Sequence, residues 1–169
     1  FADKLGNYYY SNKQFEKAIS EYLLFISTSD DNVGYIRKKL MGFPDDPEVI
    51  SLIRLTLNKE NTETSKMLLA EYEFKWGNYE KSFELMINNY NSIKTVHDFA
   101  QNLIIVDQLE LAEKIYNHLS QSKNNDIVMT SLYELANILE IKSNKKKYDI
   151  PISNSIIDNS FFEIQSYGS

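Results

Sequence analysis

Residues 3–25 read DKLGNYYYSNKQFEKAISEYLLF, and the pattern of this stretch decides the fold. Leu5, Tyr8 and Tyr9 recur at the i, i+3, i+4 spacing that gathers side chains on one stripe of a helix. Gly6 falls inside that helix, where it costs about 1 kcal/mol relative to alanine. A glycine in such a place marks a neighbour that packs too close for a side chain. Ser11, Asn12, Lys13 and Gln14 then break the apolar pattern with turn-forming residues. A second stripe follows at Phe15, Ala18, Ile19, Tyr22, Leu23 and Ile26. Ala18 lets the second helix approach the first opposite Gly6. The stretch reads as two short amphipathic helices folded back on each other. Neither buries its stripe alone, so the hairpin needs neighbours.

Weaker copies of this hairpin fill the rest of the chain. Residues 61–90 form the second clear one: Ala70 takes the small-residue place of Gly6, and Trp76-Gly77-Asn78-Tyr79-Glu80-Lys81 parallels Asn12-Lys13-Gln14-Phe15-Glu16-Lys17. Ser82 matches Ala18. In the third, from about residue 94 to 119, Phe99-Ala100 and Leu103 stand where Leu5-Gly6 and Tyr9 stood, and Ala112 matches Ala18. Ala18, Ser82 and Ala112 lie 64 and then 30 residues apart. The wide first interval leaves room for a degenerate pair over residues 33–59, with Pro47 in the first turn of its second helix and Asp46 as N-cap. A ninth helix is expected over Asp126–Ile141, with Leu132, Leu135, Ala136 and Leu139 as its stripe, and its partner helix is missing.

Hydrophobic residues make up 43% of the 169, too many for a disordered chain, and five glycines with three prolines suit mostly helix with short turns. The sequence contains no cysteine, which removes disulfides and thiolate metal sites. A net charge of −6 argues against nucleic acid, whose phosphates demand a basic face. No apolar run approaches the roughly 18 residues needed to cross a bilayer. The chain opens on Phe1 rather than Met, which gives a weak lean to an exported or periplasmic protein.

At Leu5-Gly6, Tyr9, Phe15, Ala18, Tyr22 and Phe25 the chain resembles the tetratricopeptide repeat family, whose motif places these residue types at this spacing. Ala2 replaces the large aromatic that usually opens the motif, and Asp30 stands near the place of the usual proline. The resemblance implies an all-α, right-handed α-solenoid of antiparallel helix hairpins, with about four and a half repeats in residues 1–142 and a C-terminal tail from 143 to 169. It also implies a concave channel lined by the first helix of each hairpin, in which an extended peptide or a partner domain binds. Transferred face by face, the channel residues are Asn7, Tyr10, Glu71, Phe74, Lys75, His97, Gln101, Tyr133 and Asn137. Tyr10, Phe74 and Tyr133 are expected to supply affinity, and Glu71, Gln101 and Asn137 orientation. Tyr8 and Tyr9 are expected to pack inward. Some family members clamp a partner's terminal carboxylate with Lys and Asn side chains; here Asn7 is present but Asp3 takes one lysine's place, so no such clamp is expected.

Nothing in the sequence points to an enzyme. His97 and His118 fall in different helices of one hairpin, and no phosphate loop, zinc motif or nucleophile elbow occurs. The carboxylates read as scattered over solvated helix faces. No cofactor or metal is implied. The reading is a non-catalytic protein-interaction scaffold. The rival is a self-associating structural repeat protein of the bacterial cell envelope, because AISEYLLF also looks like exported bacterial repeat proteins. Its contact would be the last helix and the tail, where Ile150, Ile152, Ile156, Ile157, Phe161, Phe162 and Ile164 stand among Ser and Asn. The tail is expected to pack on the last helix, to extend from it, or to lie in a neighbouring molecule's groove.

Overall fold

A computed structural model describes residues 1–27, 32–90 and 92–148, with 147 and 148 as backbone alone. Among the described residues there is no strand, and nine α-helices follow one another. They are α1 (Ala2–Ser11), α2 (Phe15–Ile26), α3 (Val33–Met41), α4 (Pro47–Glu60), α5 (Glu63–Lys75), α6 (Tyr79–Asn89), α7 (Ile93–Ile105), α8 (Leu109–Leu119) and α9 (Asn125–Tyr148). Two compact units arise, one of Phe1–Ile115 and one beginning at Tyr116, so the boundary falls inside α8. The expectations for the tail beyond Tyr148 lie outside the described residues.

Three of the chain reversals are built alike. The backbone N–H of Gln14 donates to the Tyr9 carbonyl (2.9 Å), that of Asn78 to Glu73 (3.0 Å) and that of Gln108 to Leu103 (2.8 Å). The residue before each donor is left-handed: Lys13 at φ 56°, Gly77 at φ 75° and Asp107 at φ 67°. Six-to-one bonds over a left-handed residue satisfy carbonyls that a helix end otherwise leaves orphaned. The carbonyls of Gln14, Asn78 and Gln108 then accept from Ala18, Ser82 and Ala112, which starts the next helix. The 64- and 30-residue spacing read from the sequence is therefore repeated in backbone geometry.

The remaining helix starts follow ordinary capping chemistry. Asp46 accepts from the N–H groups of Glu48 (2.9 Å) and Val49 (3.4 Å), with Pro47 at the first helical position. Left-handed Asn61 ends α4, and Thr62 and Ser65 cap α5 reciprocally.

In the first unit α1 packs along α2, and α5 along α6; α2 and α5 each also touch both α3 and α4, and α6 touches α7. The core between them holds Ile19, Tyr22, Ile36, Leu40, Ile53, Leu57, Leu68 and Tyr72, all fully buried. Each such side chain contributes roughly 1.5–3 kcal/mol on burial. Gly6, Ala70, Ala100, Ala18, Ser82 and Ala112 are all buried too, as the hairpin reading requires. A Cβ on Gly6 would stand 2.5 Å from the Tyr22 ring, so only glycine fits. Ser82 adds a hydrogen bond across its hairpin, donating to the Ala70 carbonyl at 2.6 Å.

Two stripes differ from their expected register. On α1 the packed face is Gly6, Tyr9 and Tyr10, whereas Tyr8 is 60% exposed. The closest approach is at Gly6, so the face centres there and not on Leu5. On α9 Leu132, Ala136 and Leu139 are exposed, and the buried positions are Ser131 and Ile138. Helix α9 also continues through Lys142–Lys147 to Tyr148, because lysine is a good helix former and neither glycine nor proline interrupts this stretch.

Candidate functional site

The helices α1, α3 and α5 are joined by polar contacts. Asn7 on α1 accepts from the Tyr22 hydroxyl (2.9 Å) and donates to Asp3 (3.1 Å) and to the Tyr35 hydroxyl on α3 (3.3 Å). Arg37 on α3 pairs with Glu71 on α5. Lys75 on α5 donates to the Met41 carbonyl at the end of α3 (2.9 Å) and reaches Asp45 (3.4 Å). Burial pushes the Glu71 carboxyl above its ordinary value, and the Arg37 guanidinium offsets only part of that push. Lys75 also lies over the Trp76 ring.

Asn7, Glu71 and Lys75 thus bridge neighbouring helices. Tyr10 and Phe74 are half-buried and make aromatic contacts within the fold. Tyr10 is half-buried, its ring meets Phe15 and Phe43 edge-on, and its hydroxyl donates to the Gly42 carbonyl. Phe74 is half-buried between Tyr79 and Phe99, at 5.2 and 5.6 Å between ring centroids. His97 and Gln101 are half-buried on α7. Tyr133, 73% exposed, and Asn137, which donates to Glu134, belong to the second unit.

Tyr35 and Arg37 were not among the sequence candidates. Helix α3 belongs to the degenerate pair and has no Gly or Ala marker to fix which side faces out. Its nine residues include Arg37, Lys38 and Lys39 and no acid, and Gly34, Tyr35, Arg37 and Lys38 are all exposed. The outward side of α3 is therefore a basic strip beside a tyrosine.

Glu73 is the larger correction, because the carboxylates do not all lie on solvated faces. Its side chain is fully buried. Oε2 accepts from Arg54 Nε (3.1 Å) and Nη2 (2.8 Å) and from Asn78 Nδ2 (2.6 Å), and Oε1 accepts from Lys81 Nζ (2.7 Å). Burial alone would raise the pKa of this group. Hydrogen bonds from Lys81, Asn78 and Arg54 outweigh it and hold the carboxyl below its ordinary value. An ionised carboxylate with both oxygens occupied is a brace between α4, α5 and the start of α6, and a poor proton acceptor. An open pocket of about 390 Å³ adjoins it, lined by Arg54, Glu73, Asn78, Glu80 and Lys81.

The repeat register held the signal for Glu73. Three residues after Gly6, Ala70 and Ala100 stand Tyr9, Glu73 and Leu103; eight further on stand Lys17, Lys81 and Leu111. In the first hairpin Lys17 lies over the Tyr9 ring, 5.4 Å from its centroid. The same pair of places therefore holds a cation–π contact, an ion pair and two buried leucines in successive copies.

Among the described residues, no group of three or more His, Cys, Asp and Glu is arranged to hold a metal ion, and no helix is long and apolar enough to cross a membrane. Comparison with known proteins gives no matching family model, no matching curated protein and no matching solved structure.

Proposed function

We propose that this chain is a protein-interaction scaffold of tetratricopeptide type. In this reading its hairpins stack as a right-handed solenoid, and the layer of first helices binds an extended segment of another protein. The observation that supports it best is the identity of three reversals in hydrogen bonding and left-handed residue, since identical turns between equal helices generate a regular stack. The contacts Asn7–Tyr35 and Arg37–Glu71 support it further, because they join α1 to α3 and α3 to α5, the helices that this reading takes as successive first helices. The exposed strip of α3, with Arg37, Lys38 and Tyr35, favours a segment that carries acidic side chains.

A displayed library of random peptides, selected against the full chain, tests this reading. Selected sequences should be extended and acidic, and their affinity should fall with salt. Arg37→Glu combined with Lys38→Glu should weaken binding at least tenfold. The melting temperature should stay nearly constant in Lys38→Glu alone, whose side chain is exposed, and fall modestly in the double variant, because Arg37→Glu removes the partner of half-buried Glu71. Unchanged affinity in that variant, or cross-links from the bound peptide to α2 and α4 instead, would count against it.

A further inference from the structure

We infer that α9 is a self-recognition helix that pairs antiparallel with α9 of a second copy of this chain. Its buried side holds Ser131 and Ile138. The opposite side shows Met129 (68% exposed), Leu132 (51%), Tyr133 (73%) and Leu139 (59%), with Ala136 exposed among them. Contiguous exposed apolar side chains on the side away from the one a helix buries mark an interaction surface.

The spacing of that face selects the kind of partner. Met129, Leu132, Ala136, Leu139 and Ser143 follow one another at intervals of three, four, three and four residues. This is a two-heptad seam, and a seam of period 3.5 fits another helix lying at a shallow angle along it. A helix with the same period is present in every second copy. Ala136 near the middle of the seam lets the two backbones come close, with the larger side chains on either side of it.

Charge selects the orientation. Lys142, Lys145, Lys146 and Lys147 crowd the C-terminal half of α9 with one acid, Glu140, whereas the N-terminal half carries Asp126 and Glu134 and no base. A parallel pair would set eight lysines side by side. An antiparallel pair sets each lysine cluster beside the half of the other helix that carries Asp126 and Glu134 and no base, which favours that direction. Covering the seam removes on the order of 500 Å² from each copy, less than the roughly 800 Å² per partner of a standard interface. The dimer is therefore a weak one that responds to concentration.

The absence of cysteine makes the test clean. Sedimentation of the full chain should show a mass that climbs from monomer to dimer across roughly 10–100 μM, as an interface of this size implies. Leu132→Ser with Leu139→Ser should raise the dissociation constant at least tenfold; both side chains are exposed, so the helical circular dichroism should not change. Ala136→Cys, as the only thiol, should cross-link between copies with a short bifunctional reagent. Met129→Cys should not, because two such residues lie about 20 Å apart along an antiparallel pair centred near Ala136. A monomer at all concentrations overturns the inference. Efficient cross-linking of Met129→Cys overturns it in favour of a parallel pair. A monomer in which a photocrosslinker at position 132 labels residues 149–169 of the same chain overturns it in favour of an internal cover.

Discussion

Gly6 shows how one residue fixes a hairpin. Alanine there would improve helix propensity by about 1 kcal/mol. Yet its Cβ would meet the Tyr22 ring at 2.5 Å, and that ring is anchored through its hydroxyl to Asn7 at 2.9 Å. Overpacking a well-filled site costs about 1–3 kcal/mol, so Gly6→Ala should lower the melting temperature in spite of the propensity gain. A higher melting temperature would mean that Tyr22 swings aside freely. Gly6 was legible in the sequence because a costly residue in a helix needs a reason. The neighbouring tyrosines were not. Tyr8 and Tyr10 are two residues apart, and spacing alone leaves open whether a stripe centres on Leu5 or on Gly6. The close contact with Tyr22 decides for Gly6, and turns Tyr10 inward and Tyr8 out.

The hairpin of α5 with α6 differs from its copies in one pair of places. Glu73 and Lys81 stand where Tyr9 and Lys17, or Leu103 and Leu111, stand elsewhere. Replacing a buried ion pair by apolar side chains of similar volume is often neutral or stabilising, whereas removing one partner leaves uncompensated charge. Glu73→Gln should therefore destabilise by about 2–3 kcal/mol, at the low end for a buried pair because Arg54 and Lys81 keep access to water. The double variant Glu73→Leu and Lys81→Leu, which imitates the α7–α8 hairpin, should recover most of that loss in urea denaturation. If it fares worse than Glu73→Gln, the brace to Arg54 is worth more than the packing of the copies. Helix existence and boundaries were largely readable at this scale, since Pro47 after Asp46 and the repeated turns are local chemistry. The outward side of α3 was not, because a pair without small-residue markers has no register until its neighbours are placed. The same holds for α9, whose two apolar sides look alike until one of them is buried.

For the molecule as a whole, stability should fall at both ends of the pH scale, for opposite reasons. Glu73 is held below the ordinary carboxyl value, so its contribution is complete above roughly pH 4.3 and is lost as pH falls through its native value. Glu71, raised by burial, works the other way: its native form takes up a proton before the unfolded chain does, and this softens the onset of acid loss. At the alkaline end burial, with the nearby Tyr35, Asp3 and Tyr10, pushes Tyr22 up to about 12. An unfolded tyrosine ionises near pH 10, so stability is lost between there and about pH 12. Melting temperatures against pH should show both limbs. Tyr22→Phe should flatten the alkaline limb from a lower plateau, and the double leucine variant the acid one. Limbs identical to wild type in both variants would place the titrating groups elsewhere.

The three matching reversals have one more consequence. Only one of them has glycine in the left-handed place; Lys13 and Asp107 hold the other two, where a β-carbon is strained, less so for aspartate than for lysine. Part of the unused margin of this protein therefore sits at its bends. Evolution or an engineer seeking a sturdier chain would find it there, at two sites where no side chain of the core need be touched.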